Sequence, residues 1–192
     1  MSMLVLGLIL FLGAHSVSIV SEGWRDRMVT KLGLLPFKAI YGLISLVGLV
    51  LIVTGYGAAR MDPTWLWQPP AFLRHVSMLL MLPVFPALLA AYLPGRISRT
   101  LKHPMLVAVK AWAVAHLLVN GALADVLLFG GFLAWAVADR ISMKNREVRI
   151  RNFPLVKERA PNDIIAIVGG LGLYLAFVFW LHWQLFGVAI VA

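Results

Sequence analysis

Residues 104–141 read PMLVAVKAWAVAHLLVNGALADVLLFGGFLAWAVADRI, and how this run is divided decides the fold. It is apolar almost throughout and too long for one spanning helix, which needs roughly 20 residues. Asn120-Gly121 near its middle is a turn signal. The run is therefore expected to be a tight hairpin of two short spans, 104–120 and 122–140. Outward from the hairpin, four further apolar runs of spanning length stand at about 3–20, 37–59, 72–93 and 165–191. The expected fold class is all-α: a polytopic membrane helical bundle of six transmembrane helices, in one domain covering 1–192. No internal repeat or low-complexity segment interrupts it.

Composition agrees. Hydrophobic residues make up 61% of the 192 and charged residues 13%, with a mean hydropathy of +0.90. Soluble domains hold about 45–50% apolar and about 25% charged residues, so the excess must face lipid. A soluble enzyme fold and disorder are excluded. The chain has no cysteine, which removes disulfides, iron–sulfur clusters and thiolate metal sites together; a metal would be held by His, carboxylate or Met.

The net charge of +9 reports orientation rather than nucleic acid, because the cations cluster in alternate loops. Arg25, Arg27, Lys31 and Lys38 follow the first span, and Arg96, Arg99 and Lys102 follow the third. Arg140, Lys144, Arg146, Arg149, Arg151, Lys157 and Arg159 follow the fifth. The opposite loops carry only Arg60, Arg74 and the uncharged Asn120-Gly121 turn. Basic loops stay in the cytoplasm, so both termini are expected on the periplasmic side of a bacterial inner membrane. The first span lacks a basic leader and a small-residue cleavage site and is expected to be retained. The last basic loop reads as a solvated orienting loop or as an interfacial helix on anionic lipid headgroups. Trp65, Trp67, Trp180 and Trp183 fit an interfacial aromatic belt.

Polar groups inside the spans are the functional candidates. Pro83 and Pro86 should kink the third span near its middle, either as a Pro-kinked helix repaired by its neighbours or as a bend that widens a cavity for a cofactor or lipid. Gly130-Gly131 and Gly169-Gly170 with Gly172 should allow close helix approach. In span four, Trp112, His116 and Asn120 are spaced four apart and share one face. Lys110 lies off that face and is expected to snorkel to the inner headgroups. His15 in Gly13-Ala-His-Ser is the other histidine well inside an apolar run. Span one runs inward and span four outward, so the N-terminal tilt of helical side chains should bring His15 and His116 together at the midplane. Two facing imidazoles are a minimal axial set for a b-type haem, which needs no cysteine attachment. His75 and His182 near the outer ends could form a second site or sit at the wet interface, and the role of His103 is open. No spacing points to a hydrolytic triad.

Lys102-His-Pro-Met-Leu, then Lys110-Ala-Trp-Ala-Val-Ala-His-Leu-Leu-Val-Asn-Gly and Leu127-Leu-Phe-Gly-Gly-Phe-Leu-Ala-Trp-Ala resemble the NnrU family of bacterial integral membrane proteins. Gly13-Ala-His-Ser, Leu73-Arg-His-Val, Met81-Leu-Pro and Pro94-Gly-Arg-Ile extend the resemblance over nearly the whole chain. Trp180-Leu-His and Leu185-Phe-Gly-Val resemble the family ending, but Trp183 stands where proline is expected, which loosens any assignment at His182. The resemblance implies a link to denitrification and nitric oxide metabolism. It also implies kinship with plant zeta-carotene isomerases, haem b membrane enzymes that isomerise a cis double bond of a hydrophobic polyene. Carried over, the family histidines fall on His15 and His116 as haem iron ligands, with Trp112 and Asn120 on the same face as His116. The expected cofactor is haem b, and the expected partners are membrane lipid with a polyene or nitric oxide. A non-haem accessory or assembly factor for denitrification is the alternative, and a membrane methyltransferase a weaker one.

Overall fold

The structure is a computed structural model that describes residues 1–144, 157–159 and 161–191. All regular structure among these residues is helical. In chain order the α-helices are α1 (Ser2–Val20), α2 (Glu22–Leu32), α3 (Leu34–Met61), α4 (Leu73–Met81), α5 (Val84–Ala90), α6 (Arg96–Leu101), α7 (Pro104–Val119), α8 (Leu123–Asp125), α9 (Gly131–Ser142), α10 (Pro161–Ala176) and α11 (His182–Phe186). Two π-helical turns, Val126–Gly130 and Phe177–Leu181, join α8 to α9 and α10 to α11.

Among the described residues, four helical stretches are long and apolar enough to cross a membrane: Ser2–Val20, Leu34–Met61, Leu73–Ala90 and Pro161–Phe186. Pro104–Val119 is apolar but shorter, and Leu123–Ser142 is helical throughout with its π turn inside. The chain is thus a membrane protein whose regular structure, among the described residues, is all helical. The basic segment after α1 is itself a helix, α2, opened by the Ser21 hydroxyl accepting from the Trp24 N–H at 3.2 Å. Most of the last basic loop, including Arg146, Arg149 and Arg151, lies outside the described residues.

The described residues fall into two compact units. The first takes Met1–Pro70 and Asn120–Glu147. Here α1 lies along α3 at backbone contact distance, because three glycines remove the side chains that would hold them apart. A methyl group at Gly7 would lie 2.6 Å from the Ile52 nitrogen, and one at Gly48 2.7 Å from the Phe11 nitrogen. One at Gly55 would strike the backbone of Leu4, whose side chain is fully buried. Lipid is as apolar as leucine, so such van der Waals approach, rather than expulsion from water, holds spanning helices together. Gly130 and Gly131, expected to serve this purpose, have ordinary room.

The Asn120-Gly121 turn closes against the connection after α3. Leu66 and Trp67 donate their N–H groups to the Gly121 carbonyl at 2.9 and 3.2 Å, and Leu123 donates to Thr64 at 2.8 Å. A side chain at Gly121 would run into the Trp67 carbonyl.

The second unit takes Ala71–Val119 and Val148–Ala192. Its core is Val84, Ala87 and Ala108, flanked by Met81, Leu88 and Trp112. Where a kink was expected, the helix is interrupted between α4 and α5. Pro83 has no N–H to offer Leu79, and Leu82 bonds one residue short, to Leu79 at 3.3 Å. The Met78 carbonyl accepts instead from the Tyr174 hydroxyl of α10 at 3.2 Å. Gly170 on the same helix packs directly against the Pro86 ring and nitrogen. At the other end of α10, Asp163 accepts from the Arg96 and Ile97 N–H groups at 2.9 and 3.0 Å, capping α6 from far along the chain. Asn162 donates to the Pro94 carbonyl at 2.8 Å.

Candidate functional site

The centre of interest in the first unit is His15, half-buried on α1. Its Nδ1 lies 2.7 Å from the Phe11 carbonyl oxygen, one turn back. A carbonyl only accepts, so Nδ1 carries a proton, and in the neutral form of the ring the lone pair falls on Nε2. The imidazole stacks on Phe11 with centroids 4.3 Å apart, and Tyr41 and Trp135 complete an aromatic surround at 5.2 and 6.0 Å. The Trp135 indole N–H is buried with no hydrogen-bond partner among the described residues. A buried donor without an acceptor costs about 1–3 kcal/mol, and here its ring stands edge-on to the His15 imidazole with centroids 6.0 Å apart.

A cavity of about 240 Å³ opens beside His15. Its walls include Tyr41 and Phe37, and Arg25 and Lys38 also line it.

His116, half-buried on α7 in the second unit, repeats the arrangement. Its Nδ1 donates to the Trp112 carbonyl one turn back at 2.8 Å, and its ring lies 5.3 Å from the Trp112 indole. The expected shared face of Trp112 and His116 is therefore a direct contact, while Asn120 follows the end of α7. His15 and His116 belong to different units. Each is an imidazole locked by its own helix in the tautomer that ligates through Nε2, the orientation a backbone carbonyl commonly imposes on metal-bound histidines. The donor chemistry fits an axially ligated haem iron, which asks for imidazole nitrogen and an apolar, aromatic surround.

The other histidines differ. His75 is exposed at the start of α4. His182 bonds through Nδ1 to the Val188 carbonyl beyond its own helix at 2.8 Å, which closes the C-terminal turn. His103 sits between Lys102 and Pro104, where its N–H reaches back to the Leu101 carbonyl at 2.6 Å.

One buried group escaped the reading of the sequence. Asp125 is 6% exposed; it accepts from the Tyr56 hydroxyl at 2.6 Å and from the Ala122 N–H at 2.9 Å. The Arg60 guanidinium lies 5.9 Å above the Tyr56 ring. In the sequence Asp125 is a lone acid inside the apolar stretch Ala-Leu-Ala-Asp-Val-Leu-Leu. Its signal was position: an acid three residues into a helix that follows a turn is placed to cap that helix.

A family model described as NnrU protein matches residues 3–190. The chain belongs to the NnrU family. No curated protein and no solved structure matches it. In this NnrU protein, the motifs that carried the resemblance mark working positions of the fold. Gly13-Ala-His-Ser holds His15, Met81-Leu-Pro is the break before α5, and Pro94-Gly-Arg-Ile is the loop capped by Asp163.

Proposed function

We propose that this NnrU protein is a six-span bacterial inner-membrane protein with both termini periplasmic, holding a b-type haem through His15 and His116. The observation that carries the reading is the repeated arrangement at these two residues: Nδ1 tied to the carbonyl of an aromatic residue one turn back, at 2.7 and 2.8 Å. The orphaned Trp135 N–H beside His15 supports it. When bound, the haem supplies a redox-active iron, suited to nitric oxide handling or to redox-gated isomerisation of a hydrophobic polyene. The chain's own work is to fix both imidazoles before ligation, so that little ordering is left to accompany it, and to keep water from them with Phe11, Tyr41 and Trp112.

Two contacts within the units support six spans. The bond between Leu123 and Thr64 joins the start of α8 to the connection after α3, so an even number of crossings separates them. With α4–α5 crossing once, α7 crosses as well. Asp163 and Arg96 are likewise in contact, so the chain from α7 to α9 must return, and Leu123–Ser142 is the remaining span. At about 1.5 Å per residue it is long enough.

Absorption spectra of purified variants test the haem assignment. His15→Ala and His116→Ala should each convert a six-coordinate low-spin spectrum to five-coordinate or haem-free protein, while His75→Ala and His182→Ala leave it unchanged. Unaltered coordination in both of the first two would reject the ligand pair and favour the non-haem accessory role.

A further inference from the structure

We infer that Arg25 and Lys38 form the acid-binding end of the haem site and take the porphyrin's propionate carboxylates; this rests on the reading of His15 as an iron ligand. Besides Ala14, Val17 and Ser18, the cavity beside His15 is lined by two kinds of side chain. One is aromatic, His15 with Tyr41 and Phe37; the other is cationic, Arg25 from α2 and Lys38 from α3. No carboxylate lines it among the described residues. Its volume of about 240 Å³ falls below the roughly 300–1,000 Å³ of a pocket that encloses a whole ligand, so it suits one edge of a larger, flat molecule.

A flat group held at His15 would reach these two cations with its edge if it extended along α1 toward the C-terminal end of that helix. From His15 to the end of α1 at Val20 is about 8 Å at 1.5 Å per residue, and α2 with Arg25 begins just beyond. Arg25 is paired to its neighbour Asp26 at 2.9 Å. That bridge is partly exposed, and such pairs contribute about 0–1 kcal/mol, so a carboxylate able to accept both fork N–H groups competes with it. The positive-inside rule accounts for basic residues in this segment in general. It does not account for Arg25 and Lys38 lining the cavity of His15 while Lys31, in the same segment, does not.

The test uses the full-length protein purified haem-free in detergent and titrated with hemin or with its dimethyl ester, in which both propionates are blocked. The double variant R25Q/K38Q should bind hemin about tenfold or more weakly than wild type, since hydrogen bonds to charged groups are worth about 1.5–3 kcal/mol. Lys31→Gln should bind like wild type, and Arg25→Lys should keep most of the affinity. The ester should bind wild type and double variant alike. Equal hemin affinity in wild type and double variant overturns the propionate assignment and leaves the haem reading standing. A wild type that binds neither compound overturns both. If the double variant keeps hemin affinity but loses retention on phosphatidylglycerol vesicles, the cations are a lipid headgroup site and the assignment falls.

Discussion

His15 shows how much one residue's neighbours decide. Phe11 supplies both the carbonyl that fixes the tautomer and the ring that shields the imidazole. The depth of His15 and His116 in apolar runs was legible in the sequence. The aromatic one turn back was legible only for His116, where the four-residue spacing to Trp112 was already noted. Lys110, off that face and half-buried, should be dispensable: Lys110→Met is expected to retain expression and any haem, as read by the Soret absorbance per protein. Lys102 is a different case. It has φ +59° and ψ −43°, and the Leu101 carbonyl accepts from the His103 N–H across it at 2.6 Å, a γ-turn of the rare, strained hand. A side chain in a left-handed region costs about 1–2 kcal/mol. Lys102→Gly should therefore raise the thermal midpoint, and an unchanged or lower midpoint would argue against strain at this turn.

Among the elements, α1 and α3 depend on glycines that the sequence did not single out. Gly7, Gly48 and Gly55 read as unremarkable residues in apolar runs, because nothing in one strand of sequence says which face meets a neighbour. Of the glycines that were singled out, Gly170 packs on Pro86, while Gly172 faces open space. Gly48→Leu should separate α1 from α3 and destabilise the first unit by about 1–3 kcal/mol or more, the usual cost of overpacking; Gly57→Leu, with open space around it, serves as the matched control. Helix-by-helix proteolysis or thermal melts in detergent would read the difference. The break at Pro83 was legible because proline lacks a donor; its repair by Tyr174, some ninety residues on, was not. Tyr174→Phe leaves the Met78 carbonyl without that hydroxyl and should cost about 1 kcal/mol, lowering the melting midpoint without altering the spectrum.

For the molecule as a whole, the apolar runs and the turn at Asn120-Gly121 were what the sequence made legible. The chain turns at Asn120-Gly121, where the sequence put a turn, and that turn is pinned to the connection after α3. The two π turns and the helical form of the first basic segment were not legible, since both depend on packing and capping geometry rather than on hydropathy. Reporter fusions after Lys144 and at the C-terminus should report opposite compartments, the first cytoplasmic and the second periplasmic. Cytoplasmic signal from both would reject the six-span topology.

The central claim is that the protein carries a haem ligated by two imidazoles, and the visible spectrum of wild type purified from cells supplied with haem tests it most directly. A bis-histidine site predicts a stoichiometric, low-spin b-type spectrum, with sharp α and β bands on reduction or a change of coordination where reduction frees one ligand. Folded, stable protein that purifies colourless would contradict it.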